Sequence, residues 1–407
     1  MITCLEGDKN NIAQRWKVLS GEDNWTSLLD PLDIDLRRYI IHYGEMAQAT
    51  YDTFNSQKVS EHVGHSLYAS NDLFRMVGLE KGNPFKYKVT KYLYATSSGK
   101  MRDKFFFQTT SRKESHKETN WIGFVAVATN KGKLALGRRD IVIAWRGTVE
   151  ETEWVKDLEF KLVPASIVRG EQFSPRVHHG WYSMYTSVNS LSSYSCTSAR
   201  NQVIDEVKRL MEEFKHEETS ITIVGHSLGA ALATLNAADI VSNELNKPNS
   251  NSTKACLVTA ITFASPRVGD SSFKELCHSL THLRVLRIRN SLDVVPHYPL
   301  TGYHDVGKEL TIKTSKSKYL KAPGNLLTWH NLEAYLHGVA GTQGVKGGFE
   351  LVVKRDIALV NKHMNALKEE YRVPGYWKCD RNKGMVQLKD GSWKLMDRNI
   401  SFFHGFY

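Results

Sequence analysis

The hydrophobic pattern of the chain changes character at about residue 121. From there on, short apolar, β-branched runs alternate with longer stretches in which apolar residues recur at helical spacing, which predicts alternating strands and helices. The predicted strands cover residues 121–129, 140–145, 221–224, 257–263 and 283–289, and the predicted helices cover 36–54, 199–215, 228–243 and 271–280. This alternation is typical of an α/β fold with a mostly parallel central sheet and helices on both faces.

The remaining segments lack such alternation. Residues 60–118 look irregular, and the segment NKGK at 130–133 looks like a turn. We expect one compact domain composed of an N-terminal helical or irregular cap segment (1–120), a catalytic core (121–345) and a C-terminal helix and extension (346–407). Within the last segment, the tail at 372–398 is expected to be an extension that takes no part in the chemistry of the protein.

The charge of the chain is basic, with a formal net charge of +11 over 407 residues. The Lys and Arg residues are dispersed and no nucleic-acid motif accompanies them, so we predict a solvated basic surface and no nucleic-acid partner. The short basic clusters at 112–113 and 313–321 are the candidates for contact with anionic lipid head groups.

The location of the protein is predicted from what the sequence lacks. No apolar run approaches the roughly 18 residues that a membrane span needs, and the N-terminal residues do not resemble a signal or transit peptide. The cysteines are scattered and show no metal-ligand spacing; they are Cys4, Cys196, Cys256, Cys277 and Cys379. We therefore expect a cytoplasmic protein without a transmembrane segment.

The segment 221–239 carries the strongest chemical signal. A β-branched strand runs directly into Gly225-His226-Ser227-Leu228-Gly229, which fits the G-x-S-x-G pattern of a nucleophilic serine on a sharp strand-to-helix turn. Gly225 and Gly229 would stand where a β-carbon meets neighbouring backbone. The helix that follows would direct its free N–H groups at the site of a developing oxyanion. We predict Ser227 to be the nucleophile of an acyl-ester hydrolase.

A serine nucleophile needs a histidine base and an orienting carboxylate. In α/β-hydrolases the carboxylate follows the serine in the chain, and the histidine follows the carboxylate. Asp293 follows the predicted strand 283–289 and is the candidate acid. His297 and His304 follow it too closely to reach the far side of the serine. Spacing favours His330, at a loop-to-helix boundary, over His337, and leaves both open.

A second oxyanion donor is expected after an early strand. The strand 140–145 ends in Arg146-Gly147-Thr148, a tight turn in a suitable place. The backbone N–H groups of Thr148 and Leu228 are therefore our predicted donors. A metal is not expected: the His178-His179-Gly180 segment has no carboxylate at metal-ligand spacing.

Four segments together resemble the class 3 lipases, and more narrowly the plant phospholipase A1 enzymes without a plastid transit peptide. They are AWRGT at 144–148, the turn GHSLGAALATL at 225–235, FASPRVG at 263–269 and HNLEAYLHGVAG at 330–341. The similarity extends over about residues 15–398. It implies an α/β-hydrolase fold, hydrolysis of the sn-1 acyl ester of phospholipids at a membrane or micelle surface, and no cofactor. It also implies Ser227, Asp293 and His330 as nucleophile, acid and base.

Two other functions stay open. One is a broad galactolipase or acylglycerol lipase with the same three residues and a different pocket. The other is a lipase-like signalling scaffold that binds lipid without turnover, which a complete set of catalytic residues disfavours. The segment 154–172 mixes apolar and charged residues and is a candidate lid, with a plain amphipathic surface element as the alternative.

Overall fold

The computed structural model of the protein describes residues 9–96, 119–148, 160–248, 254–344, 346–379 and 382–396. Its centre is a seven-stranded sheet in the order β1-β2-β3-β6-β7-β8-β9. These strands are β1 (Tyr87–Ala95), β2 (Asn120–Ala128), β3 (Arg139–Trp145), β6 (Thr219–His226), β7 (Leu257–Phe263), β8 (Leu283–Asn290) and β9 (Lys308–Ile312). The pairs β1–β2 and β2–β3 are antiparallel, whereas every pair from β3 to β9 is parallel. The predicted α/β fold with a mostly parallel sheet is confirmed.

The described helices cover both faces of this sheet. They are α1 (Lys9–Leu19), α2 (Ile34–Thr53), α3 (Leu73–Met76), α4 (Asn130–Leu136), α5 (His179–Thr186), α6 (Ala199–Glu213), α7 (Leu228–Ser242), α8 (Ser271–Ser279), α9 (Leu326–His330) and α10 (Leu332–Gly341). In the described part of the chain, no helix is both long and apolar enough to cross a bilayer.

Alternate residues of each central strand belong to two different hydrophobic clusters. In β3, Ile141, Ile143 and Trp145 pack with α6 and α7 on one face. Val142 and Ala144 pack with α2 and α10 on the other. Because both faces are covered, the central strands are apolar along their whole length. The positions of β6 and α7 in the middle of this sandwich fix the turn between them.

Three elements differ from the sequence-based expectation. The segment 60–118 contains β1, whose buried residues alternate with exposed ones such as Lys88. The expected turn at 130–133 is the first part of α4, which Thr129 caps through its side chain. The predicted strand set also lacked β9, an edge strand that begins with two exposed charged residues.

The C-terminal segment also differs from its prediction. Among its described residues there is no α-helix but a series of 3₁₀ turns, including Ile357–Asn361, and a short hairpin of β10 (Met385–Gln387) and β11 (Trp393–Leu395). The candidate lid at 154–172 lies partly outside the described residues. Its described part includes β4 (Leu162–Pro164), which pairs with β5 (Arg176–His178).

Candidate active site

Ser227 lies on a sharp turn between β6 and α7. Its backbone has φ of +58° and ψ of −125°, a conformation that non-glycine residues rarely adopt. The Ser227 N–H donates to the Phe263 carbonyl of β7 at 2.9 Å, which ties the turn to the sheet. The strain is therefore held in place by the parallel strands on which the turn rests.

The two glycines of the turn are required by close backbone contacts. A β-carbon on Gly225 would lie 2.2 Å from the Gly229 carbonyl oxygen. One on Gly229 would lie 2.3 Å from the carbonyl oxygen of Trp145 in β3. The backbone clashes that we predicted for a β-carbon at these two positions would therefore occur in the observed packing.

The structure brings Ser227, His330 and Asp293 together in one hydrogen-bonded chain. His330 Nε2 lies 2.9 Å from Ser227 Oγ, and His330 Nδ1 lies 2.7 Å from Asp293 Oδ2. The exposed fractions of the three residues are 1% for the serine, 9% for the histidine and 2% for the aspartate. With Nδ1–H donating to the carboxylate, Nε2 is free to accept the serine proton.

The carboxylate of Asp293 is held from two further directions. Its Oδ1 accepts from the Val295 N–H at 3.0 Å, and its Oδ2 accepts from the Tyr335 hydroxyl at 2.6 Å. Burial, together with the adjacent carboxylate, raises the pKa of Tyr335 well above its usual value, so this hydroxyl keeps its proton. Tyr335 lies on α10, and no pattern in the sequence pointed to its role.

Two residues missed by the sequence analysis support the backbone of His330. His226 Nε2 lies 2.6 Å from the His330 carbonyl oxygen, and the Tyr51 hydroxyl lies 2.8 Å from His226 Nδ1. Burial and the nearby His330 lower the pKa of His226 well below its usual value, so its ring is neutral. The arrangement fixes one tautomer, in which Nε2–H donates to the carbonyl and Nδ1 accepts from Tyr51.

The other histidines considered lie elsewhere. His337 is buried two turns along α10, where its Nε2 lies 2.8 Å from Ser317 Oγ, and burial lowers its pKa to about 3. His297 and His304 are exposed. His178 accepts a hydrogen bond from the Gly180 N–H and caps α5. No metal-binding group of His, Cys, Asp and Glu is present among the described residues.

Of the two predicted oxyanion donors, Thr148 lies at the same cavity as the serine and Leu228 directly follows the serine in the chain. Thr148 lines this cavity together with Ser227, and Leu228 is the first residue of α7. The Arg146 guanidinium is buried over the Phe54 ring and donates to the Gly147 carbonyl at 2.8 Å, which fixes the turn before Thr148. A β-carbon on Gly147 would lie 2.1 Å from the Tyr51 hydroxyl oxygen. The absence of a side chain on Gly147 therefore leaves room for the Tyr51 hydroxyl, which bonds His226.

The cavity has a volume of about 770 Å³, large enough for a drug-sized or lipid ligand. Ser227 and His330 form one part of its wall. Apolar residues such as Leu67, Met76 and Leu327 line other parts. The C-terminal segment contributes His363, Tyr376 and Lys378, although its tail was predicted to carry no chemistry.

A buried serine–histidine–aspartate chain on a strand–turn–helix of a mostly parallel sheet is the arrangement of α/β-hydrolases. Comparison with known proteins gives the family. The model for lipase (class 3) matches residues 142–303. Phospholipase A1-IIgamma of Arabidopsis thaliana is 55% identical over 95% of this chain and 94% of that protein. Phospholipase A1-II 1 of Oryza sativa subsp. indica is 54% identical over 95% and 97%, respectively.

The chain therefore belongs to the class 3 lipase family, and the predicted resemblance is confirmed. Among solved structures, a Rhizomucor miehei lipase–propeptide complex is similar with a TM-score of 0.44 and 19% identity. That comparison covers 69% of this chain and 68% of the other.

Proposed function

We propose that this protein is an acylhydrolase that cleaves the sn-1 acyl ester of phospholipids, with Ser227 as nucleophile, His330 as general base and acid, and Asp293 as the carboxylate that orients the histidine. The observation that carries the proposal is the hydrogen-bonded chain from Ser227 Oγ through the imidazole to Asp293 Oδ2, at the wall of a cavity of lipid-sized volume. The close similarity to plant proteins named phospholipase A1-II supports the substrate class.

The reaction proceeds in two acyl-transfer steps. Ser227 Oγ attacks the ester carbonyl while His330 Nε2 takes its proton, and the resulting oxyanion accepts hydrogen bonds from the Leu228 and Thr148 N–H groups. The C–O bond to the glycerol oxygen then breaks, and His330 returns the proton to that oxygen, which releases the lysolipid. Water, deprotonated by His330, attacks the acyl-enzyme, and the serine leaves with the proton to free the fatty acid.

The test is hydrolysis of a phosphatidylcholine that carries different acyl chains at sn-1 and sn-2, with the released fatty acid and lysolipid identified by mass spectrometry. The wild type should release the sn-1 chain. Ser227→Ala should reduce turnover by about 10⁶-fold, because the nucleophile is removed. Ser271→Ala, at an exposed serine at the start of α8, is the matched control and should leave turnover unchanged.

Three outcomes would contradict the proposal in different ways. Full activity of Ser227→Ala would disprove the mechanism. Release of the sn-2 chain by the wild type would disprove the regiochemistry. A wild type that hydrolyses acylglycerols or galactolipids but no phospholipid would favour the broader lipase function instead.

We also propose a cytoplasmic location. The scattered cysteines support it: Cys196, Cys256, Cys277 and Cys379 are all free thiols in the described part of the chain. Imaging of a fluorescent fusion expressed in plant cells tests it, and a signal confined to an organelle or the cell exterior would contradict it.

A further inference from the structure

One region of the active-site cavity is built by the C-terminal segment. Backbone hydrogen bonds within this segment join its later part to the residues just after the 3₁₀ turn Ile357–Asn361: Tyr376 N–H donates to the Met364 carbonyl at 3.0 Å, and Lys378 N–H donates to the Lys362 carbonyl at 3.1 Å. Between them, the fully buried Trp377 donates from Nε1 to the Ala358 carbonyl at 2.8 Å. The backbone that carries Lys378 is therefore held by hydrogen bonds to residues 358–364.

The acidic groups near this region already have basic partners. Lys362 Nζ lies 2.6 Å from Asp52 Oδ2, and His363 Nε2 lies 2.6 Å from Asp52 Oδ1. Burial by itself would raise the pKa of Asp52, but Lys362 and His363 outweigh it and hold that pKa well below its usual value. Lys362 Nζ also lies 3.3 Å from Glu333 Oε1, and Arg355 bonds the other oxygen of this carboxylate.

Lys378 differs from these paired groups. Its side chain is half-buried at the cavity wall, and its Nζ donates to the Met76 carbonyl at 3.4 Å, a long hydrogen bond. Among the residues that the structure describes, no carboxylate lies within ion-pairing distance of this ammonium group. Burial lowers the pKa of Lys378, as expected for a cation without a close counter-charge. An anion that enters the cavity would supply that charge.

We infer that Lys378 binds the phosphodiester of the substrate head group while Ser227 attacks the sn-1 ester. This inference rests on the proposed function and adds the group that would select phospholipids over neutral esters. In a phospholipid, the glycerol backbone links the sn-1 ester to the phosphate, so both parts of the molecule can occupy one cavity. A lysine ammonium is a compact donor that suits phosphate oxygens. Asp52, whose charge also acts on Lys378, is already paired with Lys362 Nζ at 2.6 Å and hydrogen-bonded to His363 Nε2 at 2.6 Å.

The test compares two short-chain esters with the same acyl groups: dihexanoyl-phosphatidylcholine below its critical micelle concentration, and 1,2-dihexanoylglycerol. Lys378→Met keeps the length of the side chain and removes its charge. We expect kcat/KM for the phosphatidylcholine to fall about 10- to 100-fold, the range expected for the loss of one hydrogen bond to a charged group. Turnover of the dihexanoylglycerol should stay within about twofold and shows that the variant is folded. Lys378→Arg should retain most of the selectivity.

The control variant is Lys394→Met, at an exposed lysine of the C-terminal hairpin that does not line the cavity, and it should affect neither ester. Equal effects of Lys378→Met on both esters, or none on either, would overturn the inference and leave the proposed function intact. A wild type that cleaves only the neutral ester would instead contradict the proposed function.

Discussion

The carbonyl of His330 accepts a hydrogen bond from His226, the residue directly before the serine, and Tyr51 holds the ring of His226. This contact joins the backbone of the base to the turn that carries the nucleophile. Hydrogen bonds within such a network fix a tautomer as well as a position. Tyr51 therefore acts on the site through two residues and is a positioning residue.

We expect Tyr51→Phe to lower kcat about tenfold with a smaller change in KM. The substitution leaves His226 Nδ1 buried without its donor, a cost of about 1–3 kcal/mol, and allows the ring to take the tautomer that cannot donate to His330. Steady-state kinetics on a soluble ester measures the effect. Tyr182→Phe is the matched control. The Tyr182 hydroxyl bonds the Ser166 hydroxyl at 2.8 Å, and Tyr182 does not line the active-site cavity. Equal kcat values for wild type and Tyr51→Phe would contradict the positioning role.

The sequence predicted the residues of the site that stand in local patterns and missed those that act across the fold. Ser227 was recognisable because its glycines and flanking elements are adjacent in the chain. Spacing alone did not separate His330 from His337, and the structure does so by placing only the former beside the serine. Tyr51 lies 175 residues from His226, so the contact depends on the packing of α2 under the sheet and leaves no local signal.

The strands and helices show the same difference: those with a clear local sequence pattern were predicted, and those without one were missed. Central strands such as β6 are buried on both faces and apolar throughout, so their composition alone predicts them. β1 and β9 lie at the two edges of the sheet and carry exposed charged residues, which dilute the apolar signal. α4 is only seven residues long, contains a glycine and follows a strand directly, so it resembled a turn.

The oxyanion site depends on the close contact between α7 and β3. We expect Gly229→Ala to lower kcat by about 10²- to 10³-fold, the cost of losing one oxyanion donor. The new β-carbon would lie 2.3 Å from the Trp145 carbonyl oxygen and would push the start of α7, with the Leu228 N–H, away from the sheet.

Kinetics and thermal unfolding of Gly229→Ala should be measured beside Gly348→Ala. A β-carbon on Gly348 would meet no atom within 4 Å, so this substitution should change neither quantity. Unchanged activity of Gly229→Ala would show that the helix can shift without disturbing the site.

Across the whole molecule, several histidines are buried in the core. Burial lowers the pKa to about 3 for His42, His178 and His337, and it lowers that of His226 well below the usual value. In the unfolded chain these rings would titrate near pH 6.5. Below that pH the unfolded state binds more protons than the folded state, so the free energy of unfolding decreases as the pH falls. Above it, neither state binds these protons and the contribution is constant.

We therefore expect urea unfolding to show a stability that is flat from about pH 8 to pH 7 and falls between about pH 6.5 and pH 5, by up to about 1.4 kcal/mol per pH unit for each such histidine. His42 allows a direct test, because its ring packs 4.6 Å from that of Phe85 and its Nε2 has no hydrogen-bond partner among the described residues. His42→Phe keeps the aromatic packing and removes the proton uptake, so the acid slope should become shallower by nearly one proton. His216→Gln, at an exposed histidine, is the matched control. A slope that His42→Phe does not change would mean that other groups cause the acid sensitivity.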